Sequence, residues 1–168
     1  MQRIVPVELL REHFDYCPVT GRVTHRIGTR RSPIGFEAGY VRKDDGYRVV
    51  KVLFEGRRVQ IMVHVVAWAI HYGEYPNGEV DHENTVRTDN WIANLREATR
   101  SQNNANKNKV GTLPKGVTFD RKHKTKPYKA QLKTEGKNRY LGNYADPVQA
   151  HQTYMTEAGK VFGEFARA

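Results

Sequence analysis

EVDHENTVRTDNWIANLREATRSQNNANKNK, residues 79–109, places a carboxylate, a histidine and several amides at a spacing that chemistry can use, and the rest of the chain reads as its support. Asp81 and His82 are adjacent, so on a short strand their side chains point to opposite faces and can serve different partners. Asn94 and Asn103 follow at offsets of 12 and 21 from His82. Between these amides NLREAT reads as a second strand, and Ser101 has the chemistry of an N-cap opening a polar helix over 101–109. Singly, an Asp-His pair or an Asn-rich helix start is more often structural than chemical. Jointly, the pattern favours chemistry.

The order of strand, polar loop, strand and helix, with VDH at 80–82, TDNWIANL at 88–95 and TRSQNN at 99–104, resembles the ββα-metal motif of HNH endonucleases. More narrowly it is similar to the phage and homing-endonuclease branch, in which the final His is replaced by Asn. The resemblance implies that Asp81 and Asn103 ligate a divalent ion. It further implies that His82 is the general base and that Asn94 holds the loop carrying His82. One carboxylate and one amide form an oxygen-ligand set that suits a single Mg²⁺ or Mn²⁺ rather than tetrahedral zinc. The chain departs from many relatives at Glu83 and Val86, where a loop glycine is common.

Composition bounds the remainder. The 168 residues are room for one domain or two small ones, and a net charge of +10 with 38% hydrophobic residues points to a surface-rich molecule with a polyanionic partner. No apolar run approaches the roughly 18 residues of a membrane span, and MQRIVPVELLRE lacks a signal-peptide apolar core. With one cysteine, Cys17, neither an intramolecular disulfide nor a Cys-clustered zinc site is available, and a cytoplasmic location is the natural expectation. Lys and Arg against Asp and Glu number 12 to 7 in residues 1–60, 5 to 6 in 61–113, and 11 to 5 in 114–168. The flanks are basic and the chemical centre is near neutral, as expected of a phosphate grip on either side of a metal site.

In chain order, VPVELLREH at 5–13 predicts a short helix, FDYCPVTG a turn holding Cys17 as a packing residue, and residues 23–26 a strand. Arg26, Arg30 and Arg31 lie in a Gly/Ser/Pro loop suited to phosphate or groove contact. YRVVKVLF and RRVQIMVH, separated by Glu55-Gly56, predict a hairpin whose exposed face carries Arg48, Arg58 and Gln60, a composition fit for a DNA groove. VHVVAWAIHYG predicts an apolar helix stopped by Gly73, with His64 read as a buried structural residue, His71 as scaffold, and Trp68 and Trp91 as core. Lys107 and Lys109 extend the basic surface.

KNKVGTLPKG mixes Gly, Pro and Lys between two patterned regions and predicts a domain boundary, giving domains at 1–110 and 111–168. The first divides into a β-rich DNA-contacting part, 1–63, and the helix with the ββα-metal motif, 64–110. In the second, KGVTFD, PYKAQLKT and RYLGNY read as three strands, and PVQAHQTYMTEAGKVFG as an amphipathic helix with Ala150, Tyr154, Ala158 and Phe162 on one face. This segment resembles the ethylene-response-factor (Apetala-type) DNA-binding domain. The resemblance implies that the sheet enters the major groove with Lys115, Lys129, Gln131, Lys133 and Tyr140 outward, while Ala130, Leu132 and Leu141 face the helix.

The sequence thus predicts an α+β chain. A small β-rich region leads into a ββα-metal motif, and a three-stranded antiparallel sheet packed on one helix follows. The implied activity is that of a phage-type HNH endonuclease, a homing enzyme acting as a monomer on double-stranded DNA, with no membrane partner. A DNA-binding regulator carrying a relic nuclease motif is the alternative, and an RNA nuclease a third.

Overall fold

The computed structural model describes residues 4–108 and 111–168. Two compact units divide the chain, Met1–Glu97 and Ala98–Ala168.

The first unit begins with helix α1 (Val7–His13), whose Val7 and Leu10 are buried, and runs into a two-stranded sheet of β1 (Phe14–Tyr16) and β2 (Val23–His25). A three-stranded sheet follows, in the order β3 (Tyr40–Val41), β4 (Arg48–Phe54) and β5 (Arg57–Met62). The β4–β5 turn is Glu55-Gly56, with φ of 47° and 72°. Two left-handed residues in a two-residue loop match the right-handed twist of the flanking strands, and so the hairpin expected from the sequence closes here. Helix α2 (Val63–Tyr72) ends at Gly73 in the left-handed conformation, φ 83°. It buries Val63, Val66, Ala67 and Ala69 against Leu10, Phe14, Val23, Val50 and Val52, forming the core of the unit. Strand β6 (Glu79–His82) pairs with β7 (Leu95–Ala98), and a short 3₁₀ turn at Ile92–Asn94 feeds the second strand.

Helix α3 (Arg100–Asn106) opens the second unit. An antiparallel sheet of β8 (Val117–Phe119), β9 (Tyr128–Thr134) and β10 (Lys137–Tyr144) follows, then helix α4 (Pro147–Phe162). Asp146 caps α4 by accepting from the Gln149 amide at 3.2 Å, with Pro147 in the first turn. Ala150, Tyr154, Ala158 and Phe162 are all buried, as their helical spacing predicts. Gly116, φ 76°, lies against Tyr154 so closely that a Cβ would stand 2.1 Å from the ring. Only glycine fits there.

Several expectations are corrected. The boundary falls before α3 rather than after residue 110, because Ala98 and Ala105 pack with Leu132, Tyr154, Phe162 and Phe165. The N-cap of α3 is Thr99, not Ser101: its hydroxyl accepts from the Gln102 amide at 3.2 Å while Gln102 Oε1 accepts from the Thr99 amide at 2.8 Å. This reciprocal capping box satisfies two orphan donors at once, which Ser101 could not match. Ser101 instead accepts from the Glu135 amide at 3.2 Å. Cys17 and Trp91 are exposed rather than packed. At Trp91 it is the backbone that packs, against Gly21, where a Cβ would lie 2.3 Å from the Trp91 amide nitrogen.

Candidate active site

Strand β6 carries Asp81 and His82, both buried, and the loop from Glu83 to Trp91 is folded over them by amides. The side chain of Asn94 is the fastener. Its Oδ1 accepts from the Asn84 amide at 3.0 Å, and its Nδ2 donates to Asn84 Oδ1 at 3.1 Å and to the Asp89 carbonyl at 2.7 Å. Asn84 continues the network by donating to Asp89 Oδ2 at 2.8 Å. A buried amide that meets both ends of a loop in this way fixes the path between them.

That path delivers Asn90, which sequence reasoning missed. Asn90 is 3% exposed, and its Oδ1 lies 3.0 Å from His82 Nε2. The orientation of its amide follows from the network, since Nδ2 donates to the Thr88 carbonyl at 3.1 Å and Oδ1 is left toward the imidazole. Nε2 of His82 therefore donates, and the ring lone pair belongs to Nδ1. The Tyr16 hydroxyl donates to the Asn90 carbonyl at 2.7 Å, tying this residue to the β1–β2 sheet. The available signal was a second amide in TDNWIAN, beside Asn94, on the loop that returns past His82.

Burial pushes His82 below the ordinary imidazole range, opposed by the Asn90 hydrogen bond and by the charges of Asp81 and Asp89. The net effect of burial is to favour the neutral ring, the form able to accept a proton. His64, the buried residue opening α2, stands edge-on to His82 with ring centroids 4.9 Å apart, and Tyr47 lies 5.2 Å from His64 and 6.0 Å from His82. Burial first, and then the neighbouring His82, push His64 down to about 3. Arg87 sits 5.0 Å from the Tyr47 ring centroid and donates to the Asp45 carbonyl.

Asp81 Oδ2 accepts from Arg96 Nε at 3.0 Å across the β6–β7 pair, and Arg96 is itself only 14% exposed. The guanidinium fixes the carboxylate plane, the kind of outer support that orients a ligand. Among the described residues no group of three or more His, Cys, Asp or Glu side chains forms a cage for a metal. The Asp81 carboxylate is an oxygen donor of the kind a hard divalent ion takes. Asp81, His82 and Asn94 are brought together in the first unit. Asn103 stands on α3 in the second.

The residues expected to meet DNA fall into distinct environments. Arg30, Arg31, Arg58 and Gln60 are exposed. Arg26 is exposed but engaged, donating to the Arg11 carbonyl at 2.9 Å and lying 3.4 Å from Asp15. Arg48 does not share the face of Arg58 and Gln60: these pair with Leu53 and Lys51, whereas Arg48 follows the parity of Val50 and Val52 and bridges to Glu37 at 3.1 Å. Lys51 takes its place on that face. Lys107 donates to Asn104 Oδ1 at 2.7 Å, and Lys109 lies outside the described residues. Lys115 is turned inward rather than outward, donating to the carbonyls of Ala105 and of Lys107, the latter at 2.8 Å, and burial pushes its ammonium down to about 8. It closes the C-terminal end of α3. Lys129, Gln131 and Lys133 alternate on β9 with the buried Ala130 and Leu132, and Tyr140 pairs with Gln131 on the same face. Lys129 Nζ lies 5.9 Å from the Tyr140 ring.

Residues 62–105 match the HNH endonuclease family. The uncharacterized HNH endonuclease L560 of Acanthamoeba polyphaga mimivirus is 38% identical over 87 residues, which take in 52% of this chain and 44% of that protein. The matched chain therefore spans less than half the length of this relative. A solved structure described as "DNA binding and cleavage by the HNH homing endonuclease I-HmuI" is similar over 56% of this chain and 51% of that one, at 27% identity and a TM-score of 0.42.

Proposed function

We propose that this chain is a metal-dependent DNA endonuclease of the HNH class, with His82 as general base. The observation that carries the reading is the Nε2–H of His82 held by Asn90, beside Asp81 on one buried strand, inside the segment that matches the HNH family. His82 Nδ1 takes a proton from water, and the oxygen so activated attacks the scissile phosphorus opposite the leaving 3′ oxygen. Asn90 keeps the imidazole in the required tautomer and stabilises the imidazolium that forms. Asn94 holds the loop in register. The ion would be held by Asp81 and Asn103, the latter assigned by sequence resemblance, and when bound it supplies positive charge to the phosphate.

Grip comes from surfaces of one charge. In the first unit Arg58, Gln60 and Lys51 share the exposed face of the hairpin, the size of element that a major groove admits. In the second, Lys129, Gln131, Lys133 and Tyr140 form the outward face of the sheet, consistent with the Apetala-type resemblance. We extend the reading to a homing enzyme of phage or viral origin, working as a monomer on double-stranded DNA in the host cytosol.

Incubating a supercoiled plasmid with the protein and Mg²⁺ or Mn²⁺ tests the class. The expected result is conversion to nicked or linear DNA that EDTA stops, with Asp81→Ala and Asn103→Ala each raising the ion concentration needed for half-maximal rate. Unchanged plasmid with every divalent ion would leave a DNA-binding module and remove the enzyme.

A further inference from the structure

Beside the basic hairpin the first unit holds a cavity of about 360 Å³ that the proposed reaction does not use. Its size is within the roughly 300–1,000 Å³ of small-molecule sites. The inner wall is apolar and buried, with Phe14 and Val49. The rim differs: Phe36 is 64% exposed and Tyr40 48% exposed. Two aromatic rings left in water at the mouth of one cavity offer faces for a stacking partner. Tyr40 is already set in place, with its hydroxyl donating to Gln60 Oε1 at 3.4 Å and the Lys51 ammonium 5.5 Å from its ring centroid. Arg31 and Lys51 bring positive charge to the same rim, and the acidic lining residue Glu37 is neutralised by Arg48 at 3.1 Å. Tyr40, Lys51, Gln60 and Arg58 lie on one sheet face, so the cavity opens onto the surface assigned to DNA.

Exposed rings over an apolar wall, rimmed by cations, match a flat heterocycle joined to phosphate. A fully paired duplex presents no base face to them, whereas an unpaired base does. We propose that this cavity receives one unpaired base of a DNA strand, stacked on Phe36 and Tyr40, with the adjoining phosphates meeting Arg31 and Lys51. The inference rests on the reading of the chain as a DNA endonuclease, and it adds a subsite that tolerates any base and senses its pairing.

The test is an anisotropy titration of the full chain in EDTA, with two duplexes of one sequence, one fully paired and one carrying a single unpaired 2-aminopurine. The bulged duplex should bind about tenfold tighter or more, as loss of one stacked base would imply. A change in 2-aminopurine emission should accompany binding. Phe36→Ala and Tyr40→Ala, both at exposed positions, should each remove the preference, while Tyr40→Phe should retain it. Equal affinity for the two duplexes overturns the subsite and leaves the endonuclease reading standing. Absence of any DNA binding overturns both. Should free dAMP bind in a Phe36-dependent way and more tightly than the bulged strand, the occupant is a nucleotide and the strand proposal fails.

Discussion

In the proposed mechanism Asn90 sets which nitrogen of His82 carries the proton, a chemical role beside its structural contacts to Thr88 and Tyr16. Asn90→Ala is expected to lower single-turnover cleavage by about 10- to 100-fold, by analogy with the loss of an outer partner of a metal-bound histidine. The ¹⁵N shifts of His82 should show the Nε2–H preference lost, and an unchanged rate and tautomer would remove Asn90 from the role. His64 makes a different prediction. Its pKa falls from the ordinary 6.5 to about 3 on folding, so below pH 6.5 the unfolded chain binds a proton that the folded ring refuses. Stability from this group is complete above pH 6.5 and is lost as pH falls toward 3, by at most about 1.4 kcal/mol per pH unit. Burial lowers His82 as well, and it adds in the same direction. Urea midpoints at pH 7, 5.5 and 4.5 should fall more steeply for the parent protein than for His64→Ala, and equal slopes would contradict a buried neutral ring.

At the scale of elements, alternation along the strands separates readers from supports. Gln131 and Lys133 share the outward face of β9, but they are suited to different partners. Gln131→Ala should relax preference at one or two base pairs, since a bidentate Gln–adenine contact contributes about 1–3 kcal/mol of discrimination. Lys133→Ala should weaken binding nearly equally on all sequences and reduce the slope of log affinity against log salt by about 0.9. Equal, sequence-independent losses from both would make the face a phosphate grip alone. This alternation was legible in the sequence, as were the hairpin turn and the 3.6-residue spacing of Ala150, Tyr154, Ala158 and Phe162. Arg48 was misplaced by a parity error, because period 2 puts it with Val50 rather than opposite Arg58. The cap of α3 was missed for a subtler reason. Thr99 and Ser101 both suit an N-cap, and only the reciprocal partner at Gln102 separates them. Trp91 escaped because its loop is held by the backbone at Gly21 and by amides, so an aromatic ring at that position is free to face solvent.

At the scale of the molecule, the basic flanks and near-neutral centre counted from the sequence suit the proposed cutter with grips, but the composition break at 107–116 is not the packing boundary. Helix α3 is polar enough to read as the end of the first domain, yet Ala98 and Ala105 are buried by Leu132, Tyr154, Phe162 and Phe165. A seven-residue helix is not stable without such packing. A fragment ending at Gly111 keeps every proposed catalytic residue and removes those partners. It should lose the α3 helical signal in circular dichroism and cut far more slowly than the full chain, and a fragment that cuts at the full rate would contradict this division.

The central claim is that His82 is the base, and single-turnover cleavage by His82→Ala, measured beside its DNA affinity on the same substrate, tests it most directly. The account predicts a rate about 10² to 10⁴ lower with affinity almost unchanged. Cleavage at close to the parent rate would contradict it.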